Sequence, residues 1–154
     1  MKKKVLVLDI NNDEINSLLE ELRKDYPNSI PNSPHITIRG PKDKFNRAII
    51  EKAEKIIQDI SIKINDLDII EYKDLYFCIF KVNAPALKRV WDKPDFPKKK
   101  FGFNPHITLY KGDKAVAEKI KKLIELKNKF KGLVITSKDI EVKKSIIGQR
   151  ELSI

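Results

Sequence analysis

One tetrapeptide, Pro-His-Ile-Thr, occurs twice in this chain, at residues 34–37 and 105–108, and between them the two copies contain both histidines present. Each copy stands at the same place in a recurring order of elements. An apolar run opens each half, at 5–10 and 75–82; a helical stretch follows, then the histidine segment, then a second helix. Laid on one another, the halves are offset throughout by about 70 residues. A duplication of this kind constrains the fold, because equivalent segments must find equivalent settings. It predicts an α+β architecture of two pseudo-symmetric β-α-β-α-β lobes, helices on one face of each sheet, with a central groove lined by both copies.

Residues 5–10 are apolar without alternation, as in a strand covered on both faces. Asn11 or Asn12 caps a helix on Ile15, Leu18, Leu19, Leu22 and Tyr26, which residues 27–29 end. A strand over 35–39 is broken by Gly40-Pro41, and a helix over 43–59 follows on Phe45, Ala48, Ile49, Ala53, Ile56 and Ile57. Alternation at Ile62, Ile64 and Ile69 predicts another strand. In the second half, a strand over 75–82 leads to Asn83, the cap of a short helix carrying Leu87, Val90 and Trp91, with Pro85 in its first turn. A Pro- and Lys-rich loop over 93–100 precedes a strand at 106–110, a break at Gly112 and a helix on Val116, Ile120, Leu123 and Ile124. Short strands are expected at 133–136, 140–144 and 151–154. The 154 residues read as a single bilobal domain, 1–154, with the first repeat over about 1–72 and the second over about 73–154.

Composition narrows the partners. Lys and Arg number 32 against 22 Asp and Glu, a net charge of +10, which favours an anionic partner. Hydrophobic residues reach 41%, enough for a packed core, so the charge reads as solvated surface. Cys78 is the one cysteine and sits in an apolar run, which excludes a disulfide framework and a cysteine zinc site. The short apolar stretch after Met1 is interrupted by Asp9, and no run reaches the length of a membrane span. The expectation is a soluble cytoplasmic protein with no membrane association and no obligate protein partner.

Side chains alternate along a strand, so His35 and Thr37 share one face, and His106 and Thr108 another, with isoleucines behind them. Facing lobes then present two imidazoles and two hydroxyls to one groove. That set suits in-line displacement at phosphorus. One neutral imidazole removes a proton from the attacking oxygen, the other, protonated, donates to the leaving oxygen, and the hydroxyls donate to the non-bridging oxygens. A zinc site is the rival reading, but two histidines lack the further ligands zinc requires, so neither metal nor cofactor is expected. Strict alternation puts Arg39 on the groove face, as a phosphate ligand or a solvated strand end, and Tyr110 in the equivalent place. It sends Lys111 to the other face unless the strand ends or bulges. Residues 98–103 interleave lysines with Phe101 and Phe103, as single-stranded nucleic-acid binders do.

A pair of His-x-Thr motifs, one per lobe, resembles the 2H phosphoesterase superfamily, which includes the RNA 2',3'-cyclic phosphodiesterases once named 2'-5' RNA ligases. The segment from Phe103 through Asn104, Pro105, His106, Ile107, Thr108, Leu109 and Tyr110 to Lys111 is similar to that family's Phe-x-Pro-His-x-Thr-Leu-x-Arg pattern, with Lys111 where Arg is common. His35 to Gly40 is similar to His-x-Thr-Leu followed by Gly. The resemblance implies a bilobal fold with a central groove and metal-independent phosphodiester chemistry by His35 and His106, with Thr37 and Thr108 as phosphate ligands. Arg39, Phe103, Tyr110 and Lys111 are the further substrate-binding candidates. It favours His106 as base and His35 as acid, while the pseudo-symmetry leaves those roles interchangeable. The implied substrate is an RNA end or nucleotide carrying a cyclic phosphate, with reverse 2'-5' ligation as an extension. A hydrolase of cyclic nucleotide messengers and a non-catalytic RNA-binding module are the alternatives.

Overall fold

The computed structural model describes residues 3–92, 96 and 98–146. Along the chain these form β1 (Lys4–Ile10), α1 (Asp13–Asp25), β2 (His35–Lys42), α2 (Arg47–Ile57), β3 (Ser61–Tyr72) and β4 (Leu75–Asn83). A 3-10 turn at Pro85–Arg89 follows, then α3 (Lys98–Phe101), β5 (His106–Gly112), α4 (Lys114–Lys127), β6 (Val134–Thr136), a second 3-10 turn at Ser137–Asp139 and β7 (Ile140–Ile146). The mixed α+β expectation holds. No helix among the described residues is long and apolar enough to cross a membrane.

The three longer helices begin alike. Asn12 Oδ1 accepts the Ile15 N–H, Asn46 Oδ1 the Ile49 N–H and Asp113 Oδ2 the Val116 N–H, each satisfying a donor that the helix cannot satisfy itself. Each such cap stabilises its helix by about 1 kcal/mol. Asp13 and Glu14 at the start of α1, with Arg23 and Lys24 at its end, also suit the helix dipole. Because Asn46 supplies the cap, α2 starts at Arg47 and not at the expected residue 43. The turn after β4 is 3-10 and has no side-chain cap; Ala84, not Asn83, stands at its start. Residues 98–101 of the expected loop form one helical turn. Positions 93–95, 97 and the expected strand at 151–154 lie outside the described residues.

Two antiparallel sheets result, in the orders β2-β1-β7 and β5-β4-β3-β6. This differs from the expected repeat in one respect. The last strand of the first half, β3, pairs with β4, and the last strand of the second half, β7, returns to β1. Local geometry explains the exchange. Lys73 and Asp74 both have positive φ, 52° and 64°, the backbone of a tight two-residue hairpin, so β3 folds directly onto β4 with Tyr72 opposite Leu75. This turn lies at the expected end of the first repeat, about residue 72. One buried cluster underlies both sheets, joining Leu6, Leu8 and Ile36 to Phe80, Ile107 and Ile120. β2 and β5 are terminal strands of their sheets, and they approach one another.

Candidate active site

The histidine strands open identically. Opposite β2, the β1 partners are Asp9 for His35, Leu8 for Ile36 and Val7 for Thr37; opposite β5, the β4 partners are Lys81 for His106, Phe80 for Ile107 and Ile79 for Thr108. Directly paired residues share a sheet face. His35 and Thr37 therefore lie away from the Leu6, Leu8 and Ile36 core, and His106 and Thr108 away from Phe80 and Ile107. All four side chains are buried, between 2% and 4% exposed. The first backbone hydrogen bonds match too. Pro34 O accepts from Ile10 N at 3.0 Å and Pro105 O from Val82 N at 3.2 Å. Each imidazole Nδ1 lies near the carbonyl two residues upstream, Ser33 O at 3.2 Å for His35 and Asn104 O at 2.6 Å for His106. A carbonyl only accepts, so both contacts select the tautomer with the proton on Nδ1 and the lone pair on Nε2.

Strict alternation then fails at the same place in both copies. The register shifts so that Leu6 faces Arg39, leaving Ile38 as an extra residue, and Cys78 faces Tyr110, leaving Leu109 as one. A bulge turns everything after it to the opposite face. Arg39, expected beside His35, is turned away. Its Nε donates to Val90 O at 3.1 Å and its Nη1 to Asp92 Oδ2 at 2.9 Å, while Asp92 also bonds through its backbone to Ile38 and Gly40. Tyr110 is likewise turned into the core, edge-on to Tyr26, with its hydroxyl accepting the Asp113 N–H at 2.8 Å. Burial raises its phenol above the ordinary value, outweighing the hydrogen bond from the Asp113 N–H, which lowers it. For Lys111 the bulge alternative holds: it pairs with Phe77 and so joins the face of His106 and Thr108. β2 continues through Gly40-Pro41 to Lys42, past a second register shift between Leu6 and Lys4, and Pro41 needs no ladder donor on a terminal strand. Phe103 lies off the strand, 5.2 Å from Trp91 in an edge contact and 5.4 Å from Lys88 Nζ.

Around the histidines stand groups the motif did not indicate. Asp9 pairs with Lys143 at 3.1 Å, and Lys81 with Asp68 at 3.0 Å. Burial raises the Asp68 carboxyl, but the hydrogen bonds from Lys81 and the Ile69 N–H, with the charges of Lys81 and Lys121, outweigh it and hold the group below the usual range. Phe96 lies flat on His106, ring centroids 4.5 Å apart and planes at 22°. A signal for two of these exists in the sequence: Asp9 and Lys81 interrupt the two opening apolar runs at matching positions. A cavity of about 660 Å³ adjoins the first histidine's anchor; Asp9, Asn11, Arg23, Ser33, Pro34 and Lys143 are among its walls. Among the described residues no three His, Cys, Asp or Glu side chains gather as a metal site would need.

No family model matches the chain, and no curated protein matches it. Among solved structures the chain is similar to Kluyveromyces marxianus Usb1, determined with uridine monophosphate, at a TM-score of 0.49 and 12% identity, with 94% of each chain covered.

Proposed function

We propose that this protein is a metal-independent 2H-type phosphodiesterase that opens 2',3'-cyclic phosphates at RNA or nucleotide ends. The observation that carries the reading is the matched placement of His35-x-Thr37 and His106-x-Thr108 on two adjacent terminal strands, in equal register and each with its Nδ1 on the carbonyl two residues upstream. One neutral imidazole takes a proton from water through Nε2 as the water oxygen bonds to phosphorus. The P–O3' bond breaks, and the other, protonated imidazole gives its Nε2 proton to O3', leaving a 2'-phosphate. Thr37 and Thr108 donate to the non-bridging oxygens, and Lys111 adds a positive charge on the same face. The burial of these groups favours the scheme, since hydrogen bonds to developing charge are stronger where water is scarce. With a 5'-hydroxyl in place of water as the attacking group, the same proton transfers form the P–O5' bond, break P–O3' and protonate O3', leaving a 2'-5' phosphodiester, which is the 2'-5' ligation.

The test is turnover of a short RNA ending in a 2',3'-cyclic phosphate, with chelator present, comparing the wild type with the His35→Ala plus His106→Ala variant. A 2'-phosphate made by the wild type alone supports the proposal. Preferred turnover of 3',5'-linked cyclic compounds would move the substrate to a messenger. Salt-sensitive RNA binding without turnover, unchanged by loss of both histidines, would make the chain a binding module.

A further inference from the structure

We infer that Phe96 and Asn104 form a clamp that holds the His106 ring in one orientation and one tautomer, and so act as positioning residues for the function proposed above, on which this inference rests. The contacts close a circuit. His106 Nδ1 donates to Asn104 O at 2.6 Å; the Asn104 side-chain amide donates to Phe96 O at 3.1 Å and to Gly102 O at 2.5 Å; and the Phe96 ring returns to lie on the imidazole. Backbone, side chain and ring contacts thus tie three residues to each other. Phe96 is itself fully buried and braced on three sides, edge-on to Phe77 at 5.0 Å and Tyr72 at 5.8 Å, and tilted against Phe101 at 5.5 Å. A ring so held leaves the imidazole no room to rotate about its Cβ–Cγ bond.

The first copy is built differently. Its anchor residue is Ser33 where the second copy has Asn104, and its Nδ1 contact to Ser33 O is longer, 3.2 Å. Asn104 and Phe96 hold His106, one histidine of a pair whose strands have the same register. Orientation is worth much in proton transfer, where a displacement of about 1 Å costs on the order of 100-fold in rate. The charged groups on the same face are Lys81, Asp68 bound to it, and Lys111.

Phe96→Leu removes the flat face and keeps apolar volume; Phe96→Tyr restores the face; Asn104→Ala cuts the circuit at another point. Two readouts are needed. Long-range proton–nitrogen correlation spectra give the tautomer of each histidine, and with two histidines in the chain the His35→Ala variant assigns them. Turnover of the cyclic-phosphate RNA gives kcat and KM. The expectation for Phe96→Leu and Asn104→Ala is a fall in kcat of about 10- to 100-fold with KM within about twofold, a His106 signal shifted toward mixed tautomers, an unmoved His35 signal, and recovery in Phe96→Tyr. An unchanged His106 signal and kcat in both variants overturns the clamp and leaves the proposed function standing. A shifted His106 signal in a protein that turns over no cyclic phosphate, wild type included, overturns the function and leaves the clamp. If Phe96→Leu does not fold, Asn104→Ala decides.

Discussion

Strands β2 and β5 share a tetrapeptide, a bulge directly after the His-x-Thr residues and an anchor for the histidine two residues upstream, yet their surroundings differ in sign. Asp9 stands opposite His35, and Lys81 opposite His106. Past the bulge the second strand brings Lys111 to the histidine face, where the first has Gly40 and no side chain at the matching position. The comparison teaches that the duplicated part of the site is its backbone, which aims the imidazoles, while the charges and the Phe96 contact have diverged. Under the proposed function, Lys111 would give a phosphate a cation on the second strand's side that the first strand does not match.

The sharpest way to break the symmetry is to remove one imidazole at a time. His35→Ala and His106→Ala should each lower kcat/KM by about 10³-fold, and the double variant by little more, because acid and base act as a unit. Circular dichroism should show the fold intact; a single variant within tenfold of wild type would mean that the copies do not cooperate.

A smaller effect is expected where the second strand bends. A Cβ on Gly112 would lie 2.6 Å from Tyr110 Oη, so Gly112→Ala should cost about 2 kcal/mol in urea unfolding, and Tyr110→Phe in the same background should recover part of it. An unchanged midpoint would contradict the inward placement of Tyr110.

The residues after the two bulges supply the next contrast. Lys111→Met should raise KM for the cyclic-phosphate substrate by about tenfold, the value of one charge-assisted hydrogen bond. Arg39→Met should leave KM unchanged and lower stability by about 1 kcal/mol through loss of the Val90 and Asp92 contacts. Equal KM effects would place both cations on the substrate.

The smallest effect separates the central strands, where Cys78 occupies the place that Leu6 holds in the first copy. Burial pushes the Cys78 thiol up to about 12 from 9.0. A folded-state value above the unfolded one means a contribution that is complete below pH 9 and lost as pH rises from 9 toward 12. At pH 8 a disulfide reagent should react no faster than the protein unfolds; rapid labelling would show the strand open.

Much of this arrangement was legible in the residues. The spacing of His35-x-Thr37 and His106-x-Thr108 gives the shared face that each pair has in its sheet, since period-two alternation holds up to the threonines. It failed one residue later because Ile38 and Leu109 are ordinary strand formers, and nothing local marks them as extra. Arg39 and Tyr110 were misplaced together for that single reason, while Lys111 follows the bulge alternative onto the histidine face. The exchange of β3 and β7 between sheets was hidden for another: a repeat shows which segments are alike, and pairing is decided by turns such as Lys73-Asp74. Phe96 lies ten residues before His106 outside any strand, so no periodicity could bring it to the ring.

The bulges have a second effect, on how the protein behaves in a crowd of its own copies. Terminal strands offer unpaired backbone groups to other molecules, and an Ile-rich chain is exposed to that hazard. Here the extra residues distort both terminal strands, Pro41 removes a donor from one, Asp92 engages Ile38 and Gly40 along its margin, and the Lys111 N–H is spent on Ser29 O at 3.1 Å. The strands that hold the histidines are thus poor templates for sheet extension.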